Sequence, residues 1–405
     1  MHWKEDFAKI RFRKEFLPAF AVVANSLVWN TFVLGIFSSS INGAYASISE
    51  TLTFLGLEYL GIAVSAVLGA IFFPRSRRLS LFLWMFIGGL ATALLLTVPS
   101  NSNEMNMLVS VAIGISMGAG LPSSLAYFAD TTNVGNRGFF GGLTFFLVGI
   151  FSIGFLGVNV SFSETTLIST MVLWRIAGSA VFLLLCKNRK AEKNHRVPSF
   201  SQILQRKDLV LYLVPWLMFC LVNEIGAPLA QNLFGSLYGI VGLIELVVSG
   251  VFALIGGIIA GLAGRKRVII IGFVILGVDY AALSLLSGVQ ASWYIYGALD
   301  SIAWGMFASV FFMTLWGDLA QDHEKDRYYV VGGLPYVLTL FLPELIKPYV
   351  GVMPLTTAFS LASFFLFLAV LPLMYAPETL PEKRIREREL KIYIEKAEKI
   401  REKYA

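Results

Sequence analysis

The feature that most constrains this chain is a series of long, continuously apolar runs. Each is about 20 residues long, which as a helix is enough to cross the hydrocarbon core of a bilayer. A β-barrel strand would need about 10 residues of alternating polarity, so these runs do not fit a barrel. The predicted spans are 16–40, 51–73, 79–98, 107–130, 139–162, 168–186, 209–231, 238–263, 268–289, 293–320, 330–353 and 354–380.

The composition also indicates a membrane protein. Of the 405 residues, 57% are hydrophobic and 14% are charged, whereas a soluble domain carries about 25% charged residues. The first run is longer than the apolar core of a signal peptide and no small-residue cleavage site follows it, so it is expected to remain as the first helix. The predicted fold class is an all-α membrane protein with twelve transmembrane helices.

Lysine and arginine are distributed unevenly between the two sides of the predicted bundle. One side carries five of them in 1–15, seven in 187–208 and nine in 383–403, while the connections 1–2, 3–4, 5–6, 7–8 and 9–10 between helices carry none. Because basic loops stay in the cytoplasm, both termini are predicted to be cytoplasmic, in a cell membrane. The net charge of +6 then reflects topology and contact with membrane lipid, and no nucleic-acid partner is expected.

Two stretches of the chain repeat one pattern, FADTTNVGNRGFFGGL at 128–143 and WGDLAQDHEKDRYYVVGGL at 316–334. Each has an acid at the end of an apolar run, then an Arg, aromatic residues and Gly-Gly-Leu. The two acids are separated by 318 − 130 = 188 residues. The paired positions are Asp130 and Asp318, Gly69 and Gly257, Arg77 and Arg265, and Arg78 and Lys266 at 188, Glu58 and Glu245 at 187, and Arg137 and Arg327 at 190.

These offsets predict two six-helix halves that have the same orientation, because an even number of spans returns the chain to its starting side. The pair at 190 requires a two-residue insertion in the later loop. The predicted domains are a cytoplasmic segment 1–15, an N-terminal six-helix bundle 16–186, a cytoplasmic linker 187–208, a C-terminal six-helix bundle 209–380 and a cytoplasmic charged helical tail 381–405.

The repeated loops resemble the cytoplasmic signature loops of the major facilitator superfamily. In that family the loop between helices 2 and 3 usually reads Gly-x-x-x-Asp-Arg-x-Gly-Arg-Arg. Both copies in this chain keep the glycine and the two final cations, and both lack the acid. The matching positions are Gly69, Phe73, Arg77 and Arg78 in the first copy, and Gly257, Gly261, Arg265 and Lys266 in the second.

Asp130 and Asp318 each end a predicted helix, where a carboxylate faces the negative end of the helix dipole and needs a compensating cation. Arg77 or Arg137 could serve the first, and Arg265 or Arg327 the second. The alternative is that these cations only keep the loops in the cytoplasm. The hypothesis is a cytoplasmic gate made of Arg77, Arg78, Asp130, Arg137, Arg265, Lys266, Asp318 and Arg327.

Ionisable side chains inside the spans are costly and mark functional positions by default. The resemblance implies that helices 1, 4, 7 and 10 line a central cavity, which favours Glu224 on helix 7 and Asp300 on helix 10. Each lies seven residues from the outer end of its span, so both sit about 10 Å below the outer surface. Two carboxylates that meet in a poorly hydrated cavity cannot both stay ionised. This pair is the predicted proton-coupling site.

Other candidates for the substrate and proton site follow from position. Glu58 and Glu245 lie at nearly equivalent places in the two halves, which predicts a symmetric role at the interface. For Arg175 and Asp279, contact with substrate and neutralisation within one half stay as alternatives. Aromatic and amide groups predicted to line the cavity are Trp29, Asn30 and Trp304.

The predicted function is secondary active transport of a small organic solute by alternating access, coupled to protons. The sequence has no Gly-rich loop that ends in Lys-Ser/Thr, so no ATP-driven mechanism is expected. Its cysteines and histidines have no ligand spacing, so no metal, cofactor or enzymatic activity is predicted, and no oligomer is required. A uniporter and a transporter-like receptor or scaffold are the alternatives, and the substrate and the choice between symport and antiport are left open.

Overall fold

The structure is a computed structural model and describes residues 16–44, 47–99, 102–161, 163–186, 197–289, 292–320, 323–352 and 354–380. The predicted segment 1–15, the tail 381–405 and residues 187–196 of the linker lie outside the described residues. Within the described ranges the chain is helical and has no β-strand. A helix satisfies its backbone hydrogen bonds within one segment, which is what an apolar solvent requires.

Twelve long helices can be followed through the described residues. Their ends fall within a few residues of the predicted spans, because both are set by where the apolar runs stop. In chain order they are α1 (Phe16–Ala44), α2 (Ile48–Phe72), α3 (Arg77–Ala93), α4 (Asn103–Thr131), α5 (Arg137–Ser161), α6 (Glu164–Leu185), α7 (Lys207–Phe234), α8 (Tyr238–Ala263), α9 (Arg265–Leu286), α10 (Ser292–Ala320), α11 (Asp326–Tyr349) and α12 (Leu355–Tyr375).

Two of the continuous apolar stretches each contain a pair of these helices. Ile48–Thr97 is 50 residues long and Lys207–Ala263 is 57, each more than twice the ~20 residues that one crossing needs. A 3₁₀ turn at Phe73–Ser76 divides the first, and a turn at Gly235–Leu237 divides the second. Gly235 has a φ of 54°, which glycine adopts without steric cost. The chain is therefore a multi-pass membrane protein.

Helices α4 and α10 interrupt their regular hydrogen bonding at corresponding places. The first breaks between the segments Asn103–Gly118 and Leu121–Thr131, and the second widens into a π-turn at Ala308–Phe312. Gly120 in the first break and Ala308 in the second are 308 − 120 = 188 residues apart, which is the offset of the sequence repeat. Such irregular turns are frequent at functional sites. The two halves therefore repeat this irregularity along with their helices.

The two halves approach each other closely along α5 and α8. A Cβ added to Gly142 on α5 would lie 2.2 Å from the carbonyl oxygen of Ala253 on α8. One added to Gly257 on α8 would lie 2.2 Å from the carbonyl oxygen of Gly138 on α5. Both distances are far shorter than van der Waals contact, so the helices reach this separation because these glycines have no side chain.

We expect Gly142→Val to destabilise the protein, because the Ala253 carbonyl is a backbone group and cannot turn aside. Overpacking of this kind costs about 1–3 kcal/mol, which should lower the unfolding temperature in detergent. Gly154 lies on the same helix and has nothing within 4 Å of an added Cβ, so Gly154→Val is the matched control and should unfold close to wild type. Equal unfolding temperatures for the two variants would contradict the close packing of α5 on α8.

Candidate functional site

A cavity of about 480 Å³ lies between the two halves. It is lined by α1, α2, α4 and α5 of the first half and by α8, α10 and α11 of the second. Its surface is mostly apolar, with polar groups from Asn30, Thr31, Ser152, Ser249 and Glu245. Small-molecule sites are typically apolar cavities of about 300–1,000 Å³ with a few polar groups. This cavity is therefore the candidate binding site.

Three of the predicted substrate-site residues line the cavity, namely Asn30, Trp304 and Glu245. The family resemblance implied that helix 7 would also line it, but α7 contributes none of the described lining residues. Both breaks described above border the cavity, through residues of α4 and α10. The predicted site residues that do not line it are Trp29, Glu58, Arg175, Glu224, Asp279 and Asp300.

Glu245 is the cavity-side member of a cluster of three carboxyl groups on α8, α9 and α10. The carboxyl groups of Glu245 and Asp300 are within hydrogen-bonding range, and Asp279 is close enough to interact electrostatically with both. Both carboxylate oxygens of Asp279 and one of Asp300 are buried without a hydrogen-bond partner. The expected pairing of Asp300 with Glu224 is therefore wrong, because Asp300 faces Glu245 across the α8–α10 contact.

These three acids lie at similar depth. Glu245 is seven residues after the start of α8, Asp300 is eight after the start of α10, and Asp279 is seven before the end of α9. At about 1.5 Å per residue this is roughly 10–12 Å from the ends of the helices. Equal depth allows the acids to meet, and the rotation of each helix decides which of them do.

Glu224 is linked to the cavity through one neighbour. Its carboxylate accepts a hydrogen bond from Nδ2 of Asn223 at 2.9 Å, and Oδ1 of Asn223 accepts one from Nε1 of Trp304 at 3.2 Å. Since Trp304 lines the cavity, Glu224 lies behind the aromatic wall and can influence the cavity only through Asn223.

Arg175 lies inside the first half, where two tryptophan rings enclose its guanidinium. The guanidinium carbon is 4.4 Å from the ring centroid of Trp29 and 4.3 Å from that of Trp84. Its Nη1 donates to Oδ1 of Asn25 at 2.9 Å and to Oγ of Ser26 at 2.7 Å. Desolvated cation–π contacts contribute about 2 kcal/mol each, which offsets part of the cost of burial. Trp29 therefore belongs to this cage, which joins α1, α3 and α6.

Glu58 is fully buried on α2, and neither of its carboxylate oxygens has a hydrogen-bond partner. Its counterpart in the repeat, Glu245, faces the cavity and Asp300. The two residues are therefore not used symmetrically, and a role for Glu58 in transport stays a prediction.

The predicted gate residues meet where both halves end on the side of the basic loops. Within each half, the cation after the α2–α3 or α8–α9 turn binds the carboxylate that ends α4 or α10. Arg77 contacts Asp130 at 2.5 Å, and Arg265 contacts Asp318 at 2.8 Å. Both pairs are 53 residues apart in the sequence, as the repeat requires.

Each of these carboxylates also binds a cation from the other half. Lys325, just before α11, contacts Asp130 at 2.5 Å, and Arg137, at the start of α5, contacts Asp318. The expected pairs Arg137–Asp130 and Arg327–Asp318 are therefore wrong. The counterpart of Arg137 is Lys325, at the unshifted offset of 325 − 137 = 188. We call these residues the basic-face cluster: Arg77, Asp130, Arg137, Arg265, Asp318 and Lys325.

Asp326, which was not singled out in the sequence, extends the cluster towards the cavity. It accepts hydrogen bonds from Ser123 on α4 and from Arg77. Tyr329, one turn further along α11, lines the cavity, so this contact forms the cavity floor. The repeat carries no signal for Asp326, because the position 188 residues earlier is Gly138.

The remaining predicted gate residues make contacts within one half or with the linker. Arg78 and Lys266 donate to backbone carbonyl groups near the ends of α6 and α12. Arg327 donates to the carbonyl of Pro198 at 2.7 Å, and its guanidinium carbon lies 5.3 Å from the ring centroid of Phe200. These three cations therefore anchor neighbouring segments and do not join the two halves through the basic-face cluster.

At the opposite end of the cavity the halves meet through weaker contacts. Nδ2 of Asn42 lies 3.5 Å from a carboxylate oxygen of Glu344, and the rings of Tyr59 and Phe341 are edge-to-face with centroids 6.1 Å apart. Glu344 pairs with Lys347 of its own half at 2.5 Å. Among the residues the structure describes, no ion pair crosses between the halves at this end. The two ends of the cavity therefore differ in how the halves are joined.

Comparison with known proteins gives matches in structure. No protein-family model and no curated protein sequence match the chain. The proton:xylose symporter XylE is 15% identical with a TM-score of 0.64, covering 90% of this chain and 96% of its own. The fucose:proton symporter FucP of E. coli is 12% identical with a TM-score of 0.63, covering 90% and 100%. The human organic anion transporter MFSD10 (TETRAN) is 15% identical with a TM-score of 0.61, covering 89% and 99%.

At these identities the likeness concerns the fold. XylE and FucP are transporters of the major facilitator superfamily, and the match extends over both halves of this chain. The repeated gate contacts, the paired breaks in α4 and α10 and the cavity between the halves agree with that match. With twelve helices in two six-helix bundles, this chain has the fold of the major facilitator superfamily.

Proposed function

We propose that this protein is a secondary transporter that moves a small organic solute across the membrane by alternating access. The observation that carries the proposal is a cavity enclosed between two halves that are joined on one face by ion pairs. Such pairs can break and re-form as the halves rock around the cavity, which then opens to each side in turn. The three similar structures are all transporters by name, which supports the same class.

The distribution of Lys and Arg assigns the basic face to the cytoplasm. The basic-face cluster is then the cytoplasmic gate, and the described state is the one in which this gate is closed. We place the protein in the cell membrane with both termini in the cytoplasm, for the same reason.

The closed gate depends more on Asp318 than on Asp130. The side chain of Asp130 is 31% exposed, and its pairs with Arg77 and Lys325 are worth about 1 kcal/mol or less each. Asp318 is fully buried between Arg137 and Arg265. Removing one partner from a buried pair costs about 3–5 kcal/mol, because the other charge is left uncompensated. A carboxylate of each kind gives a gate that is firm at its centre and loose at its rim.

Proton coupling is assigned in this proposal to the Glu245–Asp300 pair. Two carboxyl groups in hydrogen-bonding range share a proton, because two carboxylates so close cannot both stay ionised. Glu245 meets water when the cavity opens, while Asp300 stays buried behind it. Release of the shared proton to one side and uptake from the other would link solute movement to a proton gradient. XylE and FucP are proton symporters, which favours coupling over the alternatives.

Those alternatives are a uniporter and a receptor or scaffold that keeps a transporter fold. A uniporter would equilibrate the solute without responding to pH, and a receptor would bind it without moving it. Flux measured in liposomes with and without a pH gradient distinguishes all three, because only a coupled transporter accumulates solute when the gradient is applied.

Asp318→Asn should open the gate on the basic face, because it leaves Arg137 and Arg265 buried without a carboxylate. With Cys186 and Cys220 replaced by Ser, a reporter Ser249→Cys in the cavity should react at least roughly tenfold faster with an impermeant maleimide added on the basic-face side, since the closed state loses about 3–5 kcal/mol. Arg327→Gln is the control and should not change the rate. An unchanged rate in both Asp318→Asn and Arg137→Gln would contradict the gate.

Glu245→Gln and Asp300→Asn should each abolish accumulation of solute driven by a pH gradient. Exchange of solute at equal pH should continue in both, because each variant keeps the cavity and removes the shared proton. Glu104→Gln, at an exposed position in the first turn of α4, is the control and should accumulate solute normally. If both cavity variants accumulate at wild-type levels, coupling does not use this pair and Glu224 becomes the next candidate.

A further inference from the structure

We propose that the transported solute is an organic cation, which binds at Glu245 in exchange for the proton that Glu245 shares with Asp300. The inference deepens the proposed function and rests on it for transport. Binding itself can be measured without transport, so the two proposals can fail separately.

The charge of the cavity selects for a cation. Among the described residues that line it, Glu245 is the one charged side chain, and none is Lys, Arg or His. An organic anion would have to give up its hydration and approach a carboxyl group with no cation to compensate it, which is costly in an apolar cavity. A cation would meet an opposite charge directly.

The acids behind the cavity have no cation of their own. No ion pair involves Glu245, Asp279 or Asp300 in the part of the chain that the structure describes. The unpartnered oxygens of Asp279 and Asp300 lie in this cluster. Buried carboxylates are normally paired or hydrogen-bonded, so this cluster is incomplete as it stands. A cation in the cavity supplies the missing charge.

The remaining surface of the cavity suits an organic cation better than a metal ion. Aromatic side chains form much of the wall, and ring faces attract cations by about 0.5–2 kcal/mol each. The amide Oδ1 of Asn30 is a further acceptor without a partner. No group of three metal-ligating side chains in suitable geometry occurs within the described residues. The aromatic lining residues are Phe145, Trp304, Phe312, Tyr329 and Tyr336.

The shared proton makes the exchange one for one. With one proton between them, the carboxyl groups of Glu245 and Asp300 carry a single negative charge. When a monocation binds the Glu245 carboxylate, the proton leaves from the oxygen that held it to water in the open cavity, and two carboxylates plus one cation again carry a single negative charge. Departure of the cation allows one proton to return. The cavity therefore crosses the membrane with the same charge in either loaded state.

Several ionisable groups surround Glu245 and set the pH at which this exchange occurs. Asp300, Tyr296, Asp279 and Tyr280 face it from α10 and α9, and Tyr238 lies one helical face away on α8 itself. On α5, which also packs against α8, the sequence from residue 138 to residue 161 contains no ionisable side chain. Because the surrounding acids are not matched by any cation, protons and organic cations compete for the same carboxyl groups.

Binding is tested on the purified full-length protein in detergent with two ions of matched shape. Tetraphenylphosphonium is the cation and tetraphenylborate is the anion, and equilibrium dialysis measures saturable binding of each. We expect one saturable site for the phosphonium ion and none for the borate ion. Glu245→Gln should weaken phosphonium binding by roughly 30-fold or more, while Glu245→Asp, which keeps the charge, should retain it within about tenfold.

The exchange is tested by proton release. Binding of the phosphonium ion should release about one proton in the wild type, measured by calorimetry in buffers with different heats of ionisation, and affinity should fall as the pH is lowered. Asp300→Asn should bind the cation and release no proton, because Glu245 no longer shares one. Equal binding of both ions, wild-type binding in Glu245→Gln, or loss of binding in Glu224→Gln alone would overturn the proposal. Cation binding without flux in liposomes would leave it standing and reject transport instead.

Discussion

The buried carboxylate of Asp318, held between two guanidinium groups, is the interaction on which closure of the basic face depends. Arg265 reaches it from its own half and Arg137 from the other half. One carboxylate therefore completes the turn between α8 and α9 and also joins the two bundles. Arg265 extends the contact further, because it also donates to the carbonyl of Val134 in the first half. Its charge must stay compensated wherever it is buried, so this corner can open only as a unit.

The start of α9 is tied to this corner from a second direction. Glu378, in the segment after α12, accepts hydrogen bonds from the backbone N–H groups of Arg265 and Lys266 at 2.9 and 3.1 Å. A carboxylate at a helix N-terminus is favoured by the helix dipole. The position of Arg265, and with it the geometry of the Asp318 contact, is therefore fixed by α12 as well as by α8.

The two halves share their gate but differ in what they bury at the centre. Each ends α4 or α10 with a carboxylate that binds one cation from its own half and one from the other. In their interiors, the first half encloses the cation of Arg175 between tryptophan rings, and the second gathers the acids Glu245, Asp279 and Asp300. Symmetric gates allow the halves to rock as equivalent bodies. The asymmetric interior confines the charged surface of the cavity to one half.

Spacing along the chain was enough to determine the twelve crossings, the internal repeat, the own-half pairs Arg77–Asp130 and Arg265–Asp318, and the depth of each intramembrane acid. These follow from apolar length, from the helix dipole and from the rise of a helix, which are local properties. The repeat also pointed to Lys325 through its unshifted offset, although residue type favoured Arg327. Tertiary structure decided that Asp300 meets Glu245 and that Trp29 faces Arg175. A side chain turns by about 100° per residue around a helix, and packing against neighbouring helices sets that rotation.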